Sequence, residues 1–403
     1  MGAGGQGPLR GLKVIDLTHV MAGPTCTLML ADMGADVIKV EKVPDGDDQR
    51  KALPPAIDGE PAGFMMVNRN KRGIALDLKA EGGRRVLDRL LESADVLVEN
   101  FRPGTLEKLG FDYARLKERN RGLIYCALSG FGRTGPYGAK GGFDLVAQAM
   151  SGIMSITGEG PGRPPTKCGA PLTDITCGIL AAMGICAAYA HRLKTGEGQM
   201  VETSLFEAGI VHTYWQSAIA LATGIAPGPM GSAHPLNAPY QAFEASDGWL
   251  VVGGASQRNW LRLLDALGAT GLADDPRFRT NPDRMAHLGE LEATLQPYFK
   301  ARTRADLLAA FDRAGLPAGP VYDVLEMQAD PQTLAREMVV EVEHRRVGRV
   351  KTIGLPVKFQ DTPGGVRTGA PVYGQHSREV LLEHGFDPAE IDALVGAGAV
   401  VAG

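Results

Sequence analysis

The chain is short of cysteine, of aromatic residues and of any block of one charge. Its five cysteines, Cys26, Cys126, Cys168, Cys177 and Cys186, form no CxxC pair and are odd in number. That excludes a disulfide-framed secreted scaffold and points to free thiols in a reducing, cytoplasmic compartment. No lysine- or arginine-rich run occurs, and the formal net charge is -4. Nucleic-acid binding rests on neutralising phosphates, so nucleic acid is excluded as the main partner, whereas a small anion needs only a few local cations. The opening MGAGGQGPLRGLKV lacks a basic start followed by an apolar core, so no signal peptide is expected. The longest apolar run, Ile175 to Ala190, is interrupted by glycine, threonine and cysteine. It falls short of the roughly 20 residues of a membrane span, which predicts a buried helix and no membrane partner.

Several catalytic signatures are missing as well. The 8 histidines are scattered, and neither His344 nor His376 has a partner at ligand spacing, so no metal site is expected. There is no G-x-S-x-G elbow and no P-loop. The first strand–turn–helix–strand ends on Glu41, as a dinucleotide-binding unit would. Its turn supplies only Gly23, however, with Gly34 far along, and close backbone approach to a pyrophosphate needs clustered glycines.

What is present is the composition of a globular enzyme: 403 residues, 44% hydrophobic and 22% charged. That length exceeds one ordinary core and predicts two domains. Strands are expected at Val14–Leu17, Val37–Val40, Ile74–Leu78, Val96–Val98 and Leu123–Leu128. Val86, Leu87, Leu90, Leu91 and Ala94 recur at helical spacing between two of them. Near-continuous apolar strands alternating with amphipathic helices predict a parallel sheet covered on both faces. Around Gly224 to Pro239 the pattern changes to a glycine- and proline-bearing connection. A hairpin follows, Tyr240–Ala245 and Leu250–Val252 about Ser246-Asp247-Gly248, then helices at Trp260–Leu267, Arg284–Phe299 and Thr303–Ala314, the last capped by Thr303. A second connection, Gly315 to Pro320, closes this region. The expected fold is α/β: a large Rossmann-like parallel-sheet domain from residues 1–224 and 326–403, with a smaller α+β domain, residues 225–325, inserted between them.

The segment Gly169-Ala170-Pro171-Leu172-Thr173-Asp174 leads directly into the apolar helix. Asp174 has two readings there. It can cap the helix, a common task for aspartate. It can also be a nucleophile, because the positive end of the helix dipole favours an ionised carboxylate, which attacks an activated acyl group without a separate base.

Several motifs in order bear on that choice: Leu12 to Pro24 (LKVIDLTHVMAGP), Gly34 to Glu41 (GADVIKVE), Asn68 to Arg72 (NRNKR), Val98 to Gly104 (VENFRPG), Lys194 to Gln199 (KTGEGQ) and Gly374-Gln375-His376. Together they resemble the class III CoA-transferases, the formyl-CoA transferase and carnitine CoA-transferase family, over nearly the whole chain. The resemblance implies that Asp174 is the covalent nucleophile. It implies CoA contacts at Val20, Met21 and Ala22, at Lys42, at Leu76 and Lys79, at Asn100, Phe101 and Arg102, at Lys108 and at Asp144. Phosphates recruit lysine and arginine through charge-assisted hydrogen bonds, so the basic types suit the task. CoA and its thioesters would be substrates, with no tightly bound cofactor and no metal. The partners would be acyl-CoA, small carboxylic acids and a second copy of the chain in an interlocked homodimer.

Departures from the pattern narrow the substrate. Phe143 stands where related α-methylacyl-CoA racemases carry a proton-transferring histidine, so two-base racemisation loses a partner. Met21 and Ala52 replace the glutamine and tryptophan of oxalate-specific members. The Gly231 to Tyr240 loop looks closer to members that use succinyl-CoA with longer dicarboxylates such as glutarate. A formyl-CoA:oxalate transferase, a racemase and a non-catalytic CoA-binding protein are the alternatives.

Overall fold

The computed structural model describes residues 6–403; the first five residues of the stretch read for a leader lie outside the described residues. The chain gathers into two compact units. One comprises the chain up to Ile153, Lys167–Ser217 and Pro331–Gly403; the other comprises Met154–Thr166 and Ala218–Asp330.

In the first unit the principal strands are β1 (Lys13–Asp16), β2 (Asp36–Lys42), β3 (Lys71–Leu76), β4 (Val96–Glu99), β5 (Ile124–Ser129), β6 (Met200–Ser204) and β7 (Val400–Val401). They form one sheet in the order β7-β3-β2-β1-β4-β5-β6. All neighbours are parallel except β7, which pairs antiparallel with β3. The packing helices that matter here are α1 (Ala22–Asp32), α2 (Glu81–Glu92), α3 (Asp144–Met150), α4 (Leu172–Thr195) and α5 (Leu205–Val211). Val86, Leu87, Leu90 and Leu91 of α2 cover one face of the sheet, joined by residues of the C-terminal helices Ser377–Glu383 and Pro388–Gly396. Residues of α1, α4 and α5 cover the other face. Both faces are therefore dry, which is why the strands read as near-continuous apolar runs.

The strand order reverses between β1 and β4. In open α/β sheets such a reversal opens a crevice beyond the carboxyl ends of the strands. The loops leaving β1 and β4 here are Leu17–Met21 and the Asn100–Arg102 turn.

The second unit holds the antiparallel hairpin Tyr240–Ala245 and Gly248–Gly253, extended by Ala318–Pro320. Its core centres on Trp260, Phe243, Phe299 and Phe311, with Phe243 stacked on Phe299 at 4.3 Å. Thr303 caps its helix as expected, accepting from Asp306 N–H. The helix expected over Arg284–Phe299 is instead two, Asn281–Ala286 and Leu288–Lys300, broken at His287 with ψ 33°. A capping box at Thr280 and Asp283 starts the first piece earlier than apolar spacing alone indicated.

One expectation about α4 is corrected. The apolar segment forms a helix of 24 residues, long and apolar enough by length and composition to cross a membrane. Polar ends at Thr173-Asp174 and His191–Thr195 extend it beyond the uninterrupted run. It is also buried on one face only: Cys177, Gly178, Ala181, Ile185 and Ala188 pack inward, while Ile179 and Met183 are exposed. The inward face is small because α1 lies close. A Cβ at Gly178 would stand 2.5 Å from the Ala22 carbonyl oxygen and 2.7 Å from Thr25 Cβ. Backbone atoms cannot yield as a flexible side chain can. Gly178→Ala is therefore expected to destabilise the protein by about 1–3 kcal/mol. Its urea midpoint should fall, and an unchanged midpoint would mean that α1 and α4 are not packed this tightly.

Candidate active site

The site is built on the loop after β1, and little in that loop is regular structure. Thr18 N–H donates to Asp16 Oδ1 at 2.9 Å, and Lys39 Nζ donates to Thr18 O at 2.7 Å. Asn100 holds His19 twice: its Oδ1 accepts from His19 N–H at 3.0 Å and its Nδ2 donates to His19 O at 2.8 Å. Val20 N–H donates to Asp47 Oδ1 at 3.0 Å, with Val20 at φ 69°. The Asn100 clamp ties together the loops leaving β1 and β4, the two strands at the reversal point.

Across from this loop lie the segments after β5 and before α3. They touch backbone to backbone: a Cβ on Gly142 would fall 2.7 Å from Gly130 Cα. Between the two sides is a cavity of about 450 Å³ whose lining includes Val20, Met21, Ala22, Asn100, Arg102 and Asp174. Phe101 lines it too, as do Ser129, Gly130 and Lys140.

Asp174 enters this cavity from the first turn of α4. It does not cap that helix, contrary to one expectation. Pro171 occupies the cap position and contributes no side-chain bond. The cap comes from α3: Asp144 Oδ1 accepts from Thr173 N–H at 2.9 Å and from Thr173 Oγ at 2.8 Å. Gln148, one turn further along α3, donates to Asp144 Oδ2 at 2.7 Å and accepts from Cys168 N–H at 2.8 Å. The α3 side chains thus grip the approach to α4 on both sides of its proline.

The electrostatic expectation for Asp174 also reverses. Burial, aided by the negative charge of Asp144, pushes its carboxyl up to about 6. Among the described residues no donor is bonded to that carboxylate, so nothing offsets the loss of water. The helix dipole is worth a few tenths to one kcal/mol and does not overcome it. The raised value makes the anion more basic than that of a free aspartate.

The remaining expected positions divide plainly. Lys42 and Leu76 line a smaller crevice of about 40 Å³, whose lining shares His19 and Phe101 with the cavity. Lys42 is exposed and ion-paired with Asp48. Lys79 and Lys108 are exposed, and neither lines the cavity or the crevice. Asp144 sits behind the cavity with its carboxylate engaged by Thr173 and Gln148. Phe143 lines the cavity and is 77% exposed, so the position brings no titratable group. Ala52 is exposed and outside the lining.

Sequence reading passed over His19, Lys140, Gln148 and Asp47. His19 lines the cavity edge-on to Phe101 at 5.1 Å, and burial lowers its pKa so that the ring is neutral near pH 7. Lys140 was detectable, since it directly precedes the Gly141-Gly142-Phe143-Asp144 run. Gln148 and Asp47 gave no signal, because their roles depend on contacts distant in sequence.

Comparison with known proteins bears on this geometry. The sequence pattern of CoA-transferase family III matches residues 9–377. A succinate–glutarate CoA-transferase of Agrobacterium fabrum is 40% identical over 93% of this chain and 95% of its own length. An acetyl-CoA:oxalate CoA-transferase of Acetobacter aceti is 41% identical over 91% and 93%. The crystal structure of a CAIB/BAIF family protein from Brucella suis superposes with a TM-score of 0.84 at 40% identity, covering 94% of this chain and all of that one.

The Asp144 contribution to the Asp174 carboxyl is measurable. Asp144→Asn keeps an acceptor for Thr173 but removes the neighbouring charge. An isotope-edited NMR titration of Asp174 should show a midpoint near 6 in the wild type and a lower one in the variant. An identical midpoint in both would mean that burial alone sets it.

Proposed function

The chain belongs to CoA-transferase family III, and we propose that within this family it moves CoA from succinyl-CoA to a dicarboxylate longer than oxalate, through an aspartyl-CoA thioester on Asp174. The general activity is that of a CoA-transferase, exchanging CoA between an acyl-CoA and a carboxylic acid. The observation that carries the finer reading is the placement of Asp174: a half-buried, unbonded carboxylate in a cavity walled by the loops after β1 and β4.

The chemistry needs neither ATP nor a metal, because one thioester is exchanged for another. A carboxylate oxygen of Asp174 attacks the donor thioester carbonyl, and the C–S bond breaks to give a mixed anhydride and CoA thiolate. The thiolate attacks the aspartyl carbonyl, forming the aspartyl-CoA thioester and releasing the donor acid with one former Asp174 oxygen. The acceptor carboxylate then attacks that thioester, and a second mixed anhydride and the thiolate form. Thiolate attack on the acceptor carbonyl yields the new acyl-CoA and restores Asp174 with one oxygen from the acceptor. A partly desolvated carboxylate is suited to the first step, since less of a water shell must be stripped from it. His19, Asn100 and the loop backbone line the cavity in which charge develops, where fixed dipoles act most strongly.

Met21 supports the acceptor reading. It lines the cavity, and a thioether gives little hydrogen bonding to a small, fully polar acid such as oxalate. The A. fabrum relative, named for succinate and glutarate, is in keeping with this. A homodimer, interlocked as the family resemblance implies, would cover the apolar surface left by Ile179 and Met183 of α4 and by Leu145, Val146 and Met150 of α3. Five free cysteines suit a cytoplasmic enzyme.

Asp174→Ala and Asp174→Asn are each expected to lower transfer by at least about a thousandfold. Asp174 does not cap α4, so both should fold with unchanged circular dichroism. Wild-type protein mixed with succinyl-CoA and quenched with hydroxylamine should carry a hydroxamate on the Asp174 peptide. Full activity in Asp174→Ala would sink the mechanism. For the substrate, kcat/KM with succinyl-CoA and glutarate should exceed that with formyl-CoA and oxalate, and the reverse order would refute the acceptor assignment.

A further inference from the structure

The loop from Thr18 to Val20 has five consecutive backbone groups, and each is held by a side chain from elsewhere. Asp16 takes Thr18 N–H, Lys39 gives to Thr18 O, Asn100 takes His19 N–H and gives to His19 O, and Asp47 takes Val20 N–H. Such density is unusual for a connecting loop, whose backbone normally pairs with water. The conformation it enforces is an unfavourable one. Val20 is β-branched and sits at φ 69°, in the left-handed region that bulky residues avoid.

The centre of this arrangement is a buried ion pair. Lys39 Nζ lies 2.8 Å from Asp47 Oδ2, and both side chains are essentially inaccessible. Asp47 is itself fixed by donating its N–H to Glu41 Oε2 and by accepting Gln49 N–H. Although its burial opposes ionisation, the Lys39 ammonium and the bonds from Gln49 and Val20 hold Asp47 down to about 2. Behind Lys39 stands a second buried pair, Lys71 and Asp16, at 3.1 Å. A pair of buried charges contributes little net stability compared with apolar residues of the same shape. Its presence here calls for a specific role.

We propose that Lys39 and Asp47 are positioning residues for CoA transfer. By gripping Thr18 O and Val20 N–H they hold Val20 in its left-handed turn, and so keep His19, Val20, Met21 and Ala22 in the shape that lines the Asp174 cavity. The assignment rests on that cavity being the transfer site. Neither side chain lines the cavity. Both line the smaller crevice that shares His19 and Phe101 with it, but their polar groups are taken up by each other and by the loop backbone, so each acts on the cavity through the loop.

The test is a rescue. Asp47→Ala should lower kcat/KM for succinyl-CoA roughly ten- to a hundredfold, mainly through KM, and should speed hydrogen exchange in the peptide containing His19 and Val20. Glycine adopts positive φ without strain. Adding Val20→Gly to Asp47→Ala should therefore recover about fivefold or more of the lost kcat/KM. Asp47→Asn serves in the same pair of measurements if the alanine variant does not fold, since it keeps an acceptor for Val20 N–H but loses the charge that binds Lys39. Equal activity of wild type and Asp47→Ala, or no recovery on adding Val20→Gly, overturns the assignment. Asp174→Ala measured alongside separates the two levels: if it stays fully active, the transfer-site reading has failed and not the loop's.

Discussion

The bond from Thr173 N–H to Asp144 is the contact on which the site depends. The first turn of α4 presents its amides with no cap of its own, since proline occupies the cap position. A carboxylate from α3 fills the vacancy, and Gln148 braces that carboxylate while holding Cys168 N–H. The start of α4 is thereby fixed to a neighbouring helix, and Asp174 follows one residue later. Its distance from the walls of the cavity is set by packing and hydrogen bonding that do not involve its own side chain. That leaves the Asp174 carboxylate free of protein donors among the described residues, a condition a nucleophile needs and a cap cannot meet.

The same contact carries an electrostatic consequence. Asp144 caps the helix with a negative charge and repels the charge on Asp174, so the residue that stabilises the start of α4 also contributes to the raised basicity of Asp174. Burial, the larger cause, acts in the same direction. The opposite wall works through buried pairs of opposite sign, Lys39 with Asp47 and Lys71 with Asp16. One side of the cavity therefore uses charge to shape backbone, and the other uses it to tune a carboxylate. The sheet beneath supplies the frame: strand order reverses between β1 and β4, and the Asn100 clamp closes the gap between the loops leaving them.

The architecture was legible in the sequence because both faces of the sheet are buried. Runs such as Val37-Ile38 and Val96-Leu97-Val98 have no solvent side to disguise them, and the α2 stripe is regular. The early start at Asn281 was not legible, since a capping box outweighed apolar spacing, and the break at His287 left the apolar spacing on either side of it undisturbed. Asp174 stood out through its position before an apolar helix and through family motifs. Its titration did not, because both the missing cap and the nearby Asp144 arise from a contact between helices distant in sequence. Lys39 looked like an ordinary strand residue and is in fact fully buried. Its partner Asp47 lies in a polar turn that reads as surface. Buried ion pairs of this kind are invisible to periodicity, which registers apolar faces only.

The central claim is that Asp174 carries the acyl and CoA groups in turn, and its most direct test follows oxygen. In the double-displacement sequence an acceptor oxygen ends in the Asp174 side chain at each turnover. Glutarate labelled with heavy oxygen in its carboxyl groups, turned over with succinyl-CoA in ordinary water, should leave the label in the peptide that contains Asp174, located by fragmentation mass spectrometry. Product formation with no label in the protein, or label on a different residue, would contradict the account.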